Sequence, residues 1–284
     1  MITNKQTALK RAQSGQLGRF SEELWKDEDI HAAIVKNAEW FPHSAISFLV
    51  RYLPEDMYEC YMEDVFHPLI EKQPYLAGHI PLHKRDAYIC KRVVTHNGDL
   101  LSMVPEELRT EEIYRLAIDN TIRGEVVKYL PQKYLTEETY IKIIRKTNGR
   151  AVQYIKRLDM SDAVCDAAIK SCGTNLQYVP REKRTIARCL LAVFETEEAF
   201  RYVPQKYKSK TYSGKFAKAN PYAVREMRNG CISIEAYREA VKADHSLVRM
   251  VPEKVLAKAF LVWSTRRISR LAETEEICGV RRRL

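Results

Sequence analysis

Apolar residues in this chain recur at helical spacing. A triplet at positions i, i+3 and i+4 places three apolar side chains on one face of a helix. A Thr, Ser or Asp precedes each triplet, where its side chain can accept a hydrogen bond from a free backbone N–H of the first turn. The sequence therefore predicts helices over the following triplets: Ile30, Ala33 and Ile34 behind Asp27; Ile113, Leu116 and Ala117 behind Thr110; Tyr140, Ile143 and Ile144 behind Thr136; Val164, Ala167 and Ala168 behind Ser161; and Tyr237, Ala240 and Val241 behind Ser233.

A second pattern is a short phrase that ends in proline. Its first residue is aromatic, His or Met and its second is aliphatic, as in Tyr52-Leu53-Pro54, His79-Ile80-Pro81, Met103-Val104-Pro105, Tyr129-Leu130-Pro131, Tyr178-Val179-Pro180, Tyr202-Val203-Pro204 and Met250-Val251-Pro252. The prolines are 24 to 27 residues apart except for gaps of 49 and 48. Those gaps contain the degenerate copies Tyr154-Ile155-Lys156 and Glu226-Met227-Arg228. A short period of this kind predicts stacked repeats.

Each repeat is predicted to contain a long helix of about 11 residues and a short one of about six, too short to be stable alone. Glycines are expected to end the long helix in a left-handed conformation, in Asn97-Gly98, Arg123-Gly124, Asn148-Gly149 and Cys172-Gly173. The recurring Tyr and Pro are expected to pack between repeats. The predicted fold is all-α, an α-solenoid of roughly nine to ten two-helix repeats with a period of about 25 residues.

The predicted organisation has three parts. Residues 1–20 form a polar N-terminal cap, residues 21–252 a continuous helical-repeat array, and residues 253–284 a C-terminal capping helix with a basic tail.

Three segments carry a resemblance to a known family. Val94–Leu101, Ile144–Tyr154 and Ile169–Tyr178 resemble a tandem helical-repeat family of uncharacterised function, whose repeats read approximately A-V-x-x-N-G-x-x-L-x-Y. The family occurs in bacterial effectors, phages and large DNA viruses, and the similarity covers mainly residues 85–205. The resemblance implies a helical solenoid that is often used for recognition, and it brings no catalytic residues.

Composition indicates a cellular compartment and shows an uneven distribution of charge along the chain. The seven cysteines are scattered without a C-x-x-C pair, and the chain lacks a secretory signal or a membrane-spanning stretch. We therefore expect a cytoplasmic protein, or one in a host cytoplasm if a phage or secretion system delivers it. Residues 1–142 contain 18 Lys and Arg against 22 Asp and Glu, whereas residues 143–284 contain 29 against 15. The positive charge therefore belongs to the second half.

Catalytic and metal-binding motifs are absent from the sequence. His79 and His83 have a spacing that suits a metal on a helix, but Pro81 stands between them and no third ligand is nearby. Acidic pairs such as Glu111-Glu112 are explained by their position at helix starts. We therefore predict a non-enzymatic protein with no cofactor, no metal, no membrane association and no small-molecule substrate.

The strongest candidate site is basic. Between Lys206 and Lys218, five lysines alternate with three aromatic residues, which could contact phosphates and stack on bases. In the alternative interpretation, Tyr212 and Phe216 occupy buried helix positions and the lysines form an ordinary solvated face. An acidic protein, which an inhibitor or adaptor of effector or phage type would bind, is the preferred partner, and nucleic acid is the alternative. The candidate binding residues are Arg181, Lys183, Arg184, Arg188, Lys206, Lys208, Lys210, Lys215, Lys218, Arg225, Arg228, Arg266, Arg267 and Arg270.

Overall fold

The computed structural model describes residues 1–38 and 43–257, with side-chain surroundings omitted for residues 43–45. These residues are predominantly helical and contain no strand, apart from one isolated parallel bridge between Ile2 and Phe20. The all-α prediction is confirmed. The chain divides into two compact units, Met1–Tyr154 and Ile155–Leu284. Within the described ranges, no helix combines the length and apolar character that a membrane span requires.

The first unit contains nine α-helices and one π-helix among its described residues. The α-helices are α1 Lys5–Gln13, α2 Glu22–Trp25, α3 Glu28–Asn37, α4 His43–Tyr52, α5 Tyr58–Tyr61, α6 His67–Lys72, α7 Ala87–His96, α8 Glu111–Asn120 and α9 Glu137–Lys146, and the π-helix is Met62–Phe66. The 3-10 helices are Glu55–Met57, Pro74–His79, Leu82–Lys84, Gly98–Met103, Glu106–Leu108, Glu125–Lys128, Gln132–Tyr134 and Arg150–Tyr154.

The second unit continues the same kinds of element. Its α-helices are α10 Asp162–Ser171, α11 Ile186–Glu195, α12 Lys210–Ala219 and α13 Ile234–Ala243. Its 3-10 helices are Arg157–Asp159, Gly173–Gln177, Arg181–Lys183, Glu197–Tyr202, Gln205–Tyr207, Pro221–Glu226, Asn229–Cys231 and His245–Met250. A further helical turn covers residues 253–257.

Polar side chains cap the long helices where the sequence predicts them. Thr110, Thr136, Ser161 and Ser233 each accept a hydrogen bond from the backbone N–H three residues later, and Asp27 accepts from the N–H groups of Asp29 and Ile30. The triplets behind these caps face the core, although Leu116, Ala167 and Val241 are only half-buried. Asp86 and Thr185 cap α7 and α11 in the same way.

The short helices differ from the prediction in type. The predicted short helix of about six residues is, after α7, the 3-10 helix Gly98–Met103, and Pro105 then opens a second 3-10 turn, Glu106–Leu108. Segments this short suit the 3-10 form, which is used in short pieces. In the proline phrase, the aliphatic second residue is the buried one, at Leu53, Ile80, Val104, Leu130, Val179, Val203 and Val251. The tyrosines of the first position are only half-buried or, at Tyr178, exposed.

The glycines of the predicted helix ends have two different roles. Gly124 and Gly149 are left-handed, with φ of 83° and 81°. Gly149 follows the end of α9 as predicted, whereas α8 already ends at Asn120 and Gly124 precedes the 3-10 helix Glu125–Lys128. Gly98 and Gly173 are not left-handed, so the prediction is wrong for them. A Cβ on Gly98 would lie 1.8 Å from the Ala117 carbonyl oxygen, and a Cβ on Gly173 would lie 2.1 Å from that of Ala192. These two glycines therefore permit a backbone approach to the next long helix.

Asp99 is a buried carboxylate that organises the start of the next segment. It accepts hydrogen bonds from the backbone N–H groups of Ile122, Arg123 and Val126 at 3.0, 2.6 and 3.2 Å, and from the Thr121 hydroxyl at 2.5 Å. Burial opposes ionisation, but the donated hydrogen bonds outweigh it and lower the pKa of Asp99. The Asp99 carboxylate therefore supplies hydrogen-bond acceptors for backbone N–H groups that have no carbonyl partner in this turn.

Alanine at Gly98 or Gly173 should destabilise the fold. Each Cβ would overlap a backbone carbonyl that cannot rotate away, so we expect each change to cost about 1–3 kcal/mol of unfolding free energy. Gly230→Ala is the control, because a Cβ at that position would have no atom within 4 Å. Urea denaturation of the three variants measures this; equal effects at all three positions would contradict the close-approach explanation.

Asp99→Asn should lower the unfolding free energy at neutral pH by about 2 kcal/mol, since hydrogen bonds to a charged acceptor are lost. The folded-state pKa of Asp99 is lowered, so its contribution is present above the unfolded pKa near 3.8 and is lost as pH falls through the folded value. The stability difference between wild type and variant should therefore be constant above about pH 5 and shrink in stronger acid. A difference that grows on acidification would contradict this assignment.

Candidate functional site

The candidate cations of the second unit lie on three kinds of element. These are the 3-10 turns that precede the long helices, together with adjoining residues; the long helices themselves; and the 3-10 helix that follows a long helix. The turn group contains Arg181, Lys183, Arg184, Lys206, Lys208 and Arg228, while Arg225 lies on the 3-10 helix Pro221–Glu226 and Arg188, Lys210, Lys215 and Lys218 lie on α11 and α12. Arg266, Arg267 and Arg270 lie outside the described residues.

Arg188 and Lys183 are occupied by contacts within the unit. Arg188 forms ion pairs with Asp166 at 2.6 Å and with Asp162 at 3.1 Å, and only 14% of its side chain is exposed. Its hydrogen bond to Asp166 raises the pKa of Arg188, while Arg188 lowers the pKa of Asp162. Lys183 donates to the Met160 carbonyl at 2.8 Å. Both cations therefore hold helix α10 and its preceding turn to the next repeat.

Arg184 is a half-buried link between backbone segments. Its guanidinium donates to the carbonyl oxygens of Val179 at 2.8 Å, Gln177 at 2.8 Å and Tyr202 at 3.0 Å. Burial lowers the pKa of Arg184, and the nearby positive charges of Arg181 and Arg157 lower it further. The side chain predicted to bind a partner is thus largely used by the fold.

Lys208 is used in a similar way one turn later. Its amine donates to the Arg201 carbonyl at 2.8 Å and lies 5.4 Å from the Phe200 ring centroid. Burial lowers the pKa of Lys208, and Arg228 adds to this effect. The amine is therefore only half accessible, unlike the fully exposed Lys206.

Exposed cations remain on the successive turns, and we refer to one from each turn, Arg157, Arg181, Lys206 and Arg228, as the basic row; Lys156 beside Arg157 is exposed as well. Within the described residues, none of the four forms an ion pair. The turns that carry them are joined directly: Lys183 bonds the Met160 carbonyl and Arg184 bonds the Tyr202 carbonyl. The last two turns share a cavity of about 80 Å³, lined by Phe200, Gln205, Lys208, Glu226, Arg228 and Cys231. The segments that carry the basic row are therefore linked in sequence order by hydrogen bonds to backbone carbonyls and by a shared cavity.

Arg157 is the member of the basic row that the sequence prediction missed. It follows Lys156, which stands at the proline position of the degenerate phrase Tyr154-Ile155-Lys156, and it occupies the position of Arg181 one repeat earlier. Aligning the degenerate copy with the others and reading the residue after the proline position would have identified it.

The aromatic side chains around the lysines pack within the unit. The rings of Tyr207 and Tyr212 meet edge to face at 5.3 Å, and Phe216 is fully buried. The Lys206 amine lies 4.9 Å from the Tyr207 ring centroid. The interpretation of Phe216 as a buried helix position is confirmed, and Tyr212 is half-buried. None of these three rings is a fully exposed platform on which a base could stack.

The remaining candidate cations are separate from the basic row. Lys210, Lys215 and Lys218 are exposed along α12, and the Lys215 amine lies 5.9 Å from the Tyr212 ring centroid. Arg225 is exposed and its guanidinium lies 4.9 Å from the ring centroid of Tyr222.

Two of the corresponding turns of the first unit, Glu55–Met57 and Glu106–Leu108, carry acidic residues, whereas Leu82–Lys84 and Gln132–Tyr134 carry Lys84 and Lys133. Glu55 and Asp56 follow Pro54, and Glu106 and Glu107 follow Pro105. The Glu55 carboxylate accepts from the Lys84 amine at 2.5 Å, and Asp56 pairs with Lys26 at 2.6 Å. The same structural position therefore supports either sign of charge, so the cations of the second unit are not required by the turn itself.

The two histidines singled out for their spacing lie in the first unit. His79 Nδ1 is 2.9 Å from the Ser47 hydroxyl oxygen, and His83 is exposed on the 3-10 turn Leu82–Lys84.

No protein-family model, curated protein or solved structure matches this chain. The resemblance to the tandem helical-repeat family stays a prediction, and the role of the basic row rests on its own geometry.

Charge reversal should separate the structural lysine from the surface lysine. Lys208→Glu removes a hydrogen bond to a carbonyl and places a carboxylate beside it, so we expect a loss of about 1–3 kcal/mol in unfolding free energy. Lys206→Glu should change it by less than about 0.5 kcal/mol, because the side chain is exposed. Thermal denaturation of both variants measures this. Equal stability of the two would show that Lys208 is also a free surface group.

Proposed function

We propose that the chain is a non-enzymatic α-solenoid that binds an acidic protein partner through the basic row. The solenoid, with roughly nine to ten repeats of about 25 residues, is supported by the helix bounds. Helices α7 to α13 each contain ten residues, and successive starts are 24 to 26 residues apart. Between successive long helices lie two 3-10 segments. An inhibitor or adaptor of effector or phage type is the biological role that the family resemblance favours.

The observation that carries the binding proposal is the exposure of four cations on successive joined turns. Arg157, Arg181, Lys206 and Arg228 lack acidic partners within the described residues, whereas Arg188 in the same unit is fully paired. A partner with carboxylates would supply the counter-charges that these four cations lack within their own unit. Arg also presents a planar fork of donors that matches a carboxylate.

Nucleic acid is the alternative partner, because phosphates also attract a row of cations. The packing of Tyr207, Tyr212 and Phe216 favours the protein partner. Binding of single strands without sequence preference combines backbone cations with aromatic rings that are free to stack on bases. Here two of the rings face each other and the third is in the core.

The test is affinity purification from the native cell with and without nuclease treatment. We expect a stoichiometric acidic protein to be retained in both arms by the wild-type chain. The row variant, with Arg157, Arg181, Lys206 and Arg228 changed to Glu, should lose it by at least tenfold in recovered amount, since several attractive contacts become repulsive.

A matched control changes four exposed cations on the long helices to Glu: Lys170, Lys215, Lys218 and Arg238. This control alters net charge equally and should retain the partner. Equal loss in both variants would show a general charge effect and contradict recognition by the row. Loss of the partner on nuclease treatment, together with a steep decrease of binding with salt, would establish the nucleic-acid alternative.

A further inference from the structure

Three side chains that are able to bind metals converge in the first unit, whereas the basic row belongs to the second unit. His31 projects from α3, Cys60 from α5 and Asp64 from the π-helix Met62–Phe66. His31 Nε2 is 3.4 Å from Asp64 Oδ2 and 3.8 Å from Cys60 Sγ, and Cys60 Sγ is 3.5 Å from the same Asp64 oxygen. One nitrogen, one sulfur and one oxygen therefore form a nearly equilateral triangle.

The edges of this triangle match one face of a zinc tetrahedron. Zinc binds sulfur at about 2.3 Å and histidine nitrogen or carboxylate oxygen at about 2.0–2.2 Å. At tetrahedral angles these bond lengths place nitrogen and oxygen about 3.4 Å apart, and sulfur about 3.6 Å from either. The observed separations of 3.4, 3.8 and 3.5 Å depart from those values by about 0.2 Å or less. A zinc ion could be bound with almost no movement of the three side chains.

Ring packing and helix spacing position the three metal-binding side chains. The His31 ring packs on the ring of Tyr61 with centroids 4.6 Å apart, and Tyr61 is fully buried against Trp25. Cys60 and Asp64 are four residues apart, which places both on one face of the helix. The π-helix that contains Asp64 is a rare element that occurs frequently at functional sites.

Ordinary surface contacts are the competing explanation, since a His–Asp ion pair and a thiol hydrogen bond would hold the same groups together. Those two contacts explain why Asp64 is near His31 and near Cys60. The third edge, 3.8 Å between His31 Nε2 and Cys60 Sγ, also has the length of a weak hydrogen bond to sulfur, so zinc titration distinguishes the two explanations.

We propose that His31 Nε2, Cys60 Sγ and Asp64 Oδ2 bind a zinc ion with one coordination position open to water. The thiolate and imidazole favour Zn²⁺ over Mg²⁺ or Ca²⁺, which prefer all-oxygen ligands. Cys60 is exposed and 48% of the Asp64 side chain is accessible, so the fourth position faces solvent. Three protein ligands with one open position is the composition that supports chemistry or a further donor, rather than a closed structural site.

Zinc titration of the metal-free protein, with any affinity tag removed, tests the site. A chromophoric chelator should lose one equivalent of Zn²⁺ to the wild-type chain. Co²⁺ in place of zinc should give a thiolate-to-metal charge-transfer band and the intense visible bands of tetrahedral cobalt. Absence of zinc binding by the folded wild-type protein would overturn the proposal.

Single-ligand variants assign the donors. His31→Ala, Cys60→Ser and Asp64→Asn should each weaken zinc binding at least about 100-fold, the upper end of the loss seen when a hydrogen-bond partner of a metal ligand is removed. Cys60→Ser should also abolish the cobalt charge-transfer band. Cys172→Ser and His83→Ala are the controls and should bind as wild type. Circular dichroism of the metal-free proteins verifies folding, and wild-type affinity in a folded Cys60→Ser or Asp64→Asn protein would contradict the assignment.

Discussion

The backbone groups at the ends of short helices must find partners, and the rest of this structure depends on how they do so. No α-helix within the described ranges exceeds ten residues, whereas each helix end leaves up to four N–H or C=O groups without an intrahelical partner. Hydroxyls cap the N-termini, as at Thr110 and Ser161. A buried carboxylate, Asp99, binds the N–H groups of a whole turn.

Basic side chains donate hydrogen bonds to backbone carbonyl groups. Arg85 donates to Ile80 and Met103, Arg109 donates to Val104, and Arg184 donates to Val179 and two further carbonyls. Each of these arginines stands immediately before the capping residue of a long helix, and Lys208 stands there too. A basic residue at this position therefore joins successive segments. It explains part of the positive charge of the second half without any partner.

What remains after this structural use is the basic row. Overall charge suggests a broad surface, but Arg188, Lys183, Arg184 and Lys208 are already bound to acids or carbonyls. The exposed cations of the row occupy turns that in the first unit carry Glu or Asp in two cases and Lys in two others. Because the turn tolerates both signs, the cations there are available for recognition.

The helices and their caps could be predicted from the sequence because they depend on neighbours in the chain, as at Thr136 and Tyr140. Tertiary contacts could not. In sequence, Gly98 looks like a glycine that ends a helix, and nothing local reveals its close approach to Ala117. The hydrogen bonds of Asp99 join residues more than twenty positions apart. Among the candidate site residues, Lys208 is half-buried and donates to the Arg201 carbonyl, a contact that no local pattern reveals, whereas Lys206 is exposed.

Recognition of the partner by the basic row is best tested by zero-length carbodiimide cross-linking of the complex with the purified partner. This reagent joins a lysine amine to a carboxylate only where the two are in contact. If the basic row is the contact surface, we expect Lys206 to form the main cross-link to an Asp or Glu of the partner. Cross-links confined to Lys170, Lys215 and Lys218 on the long helices would place the partner elsewhere and contradict recognition by the basic row.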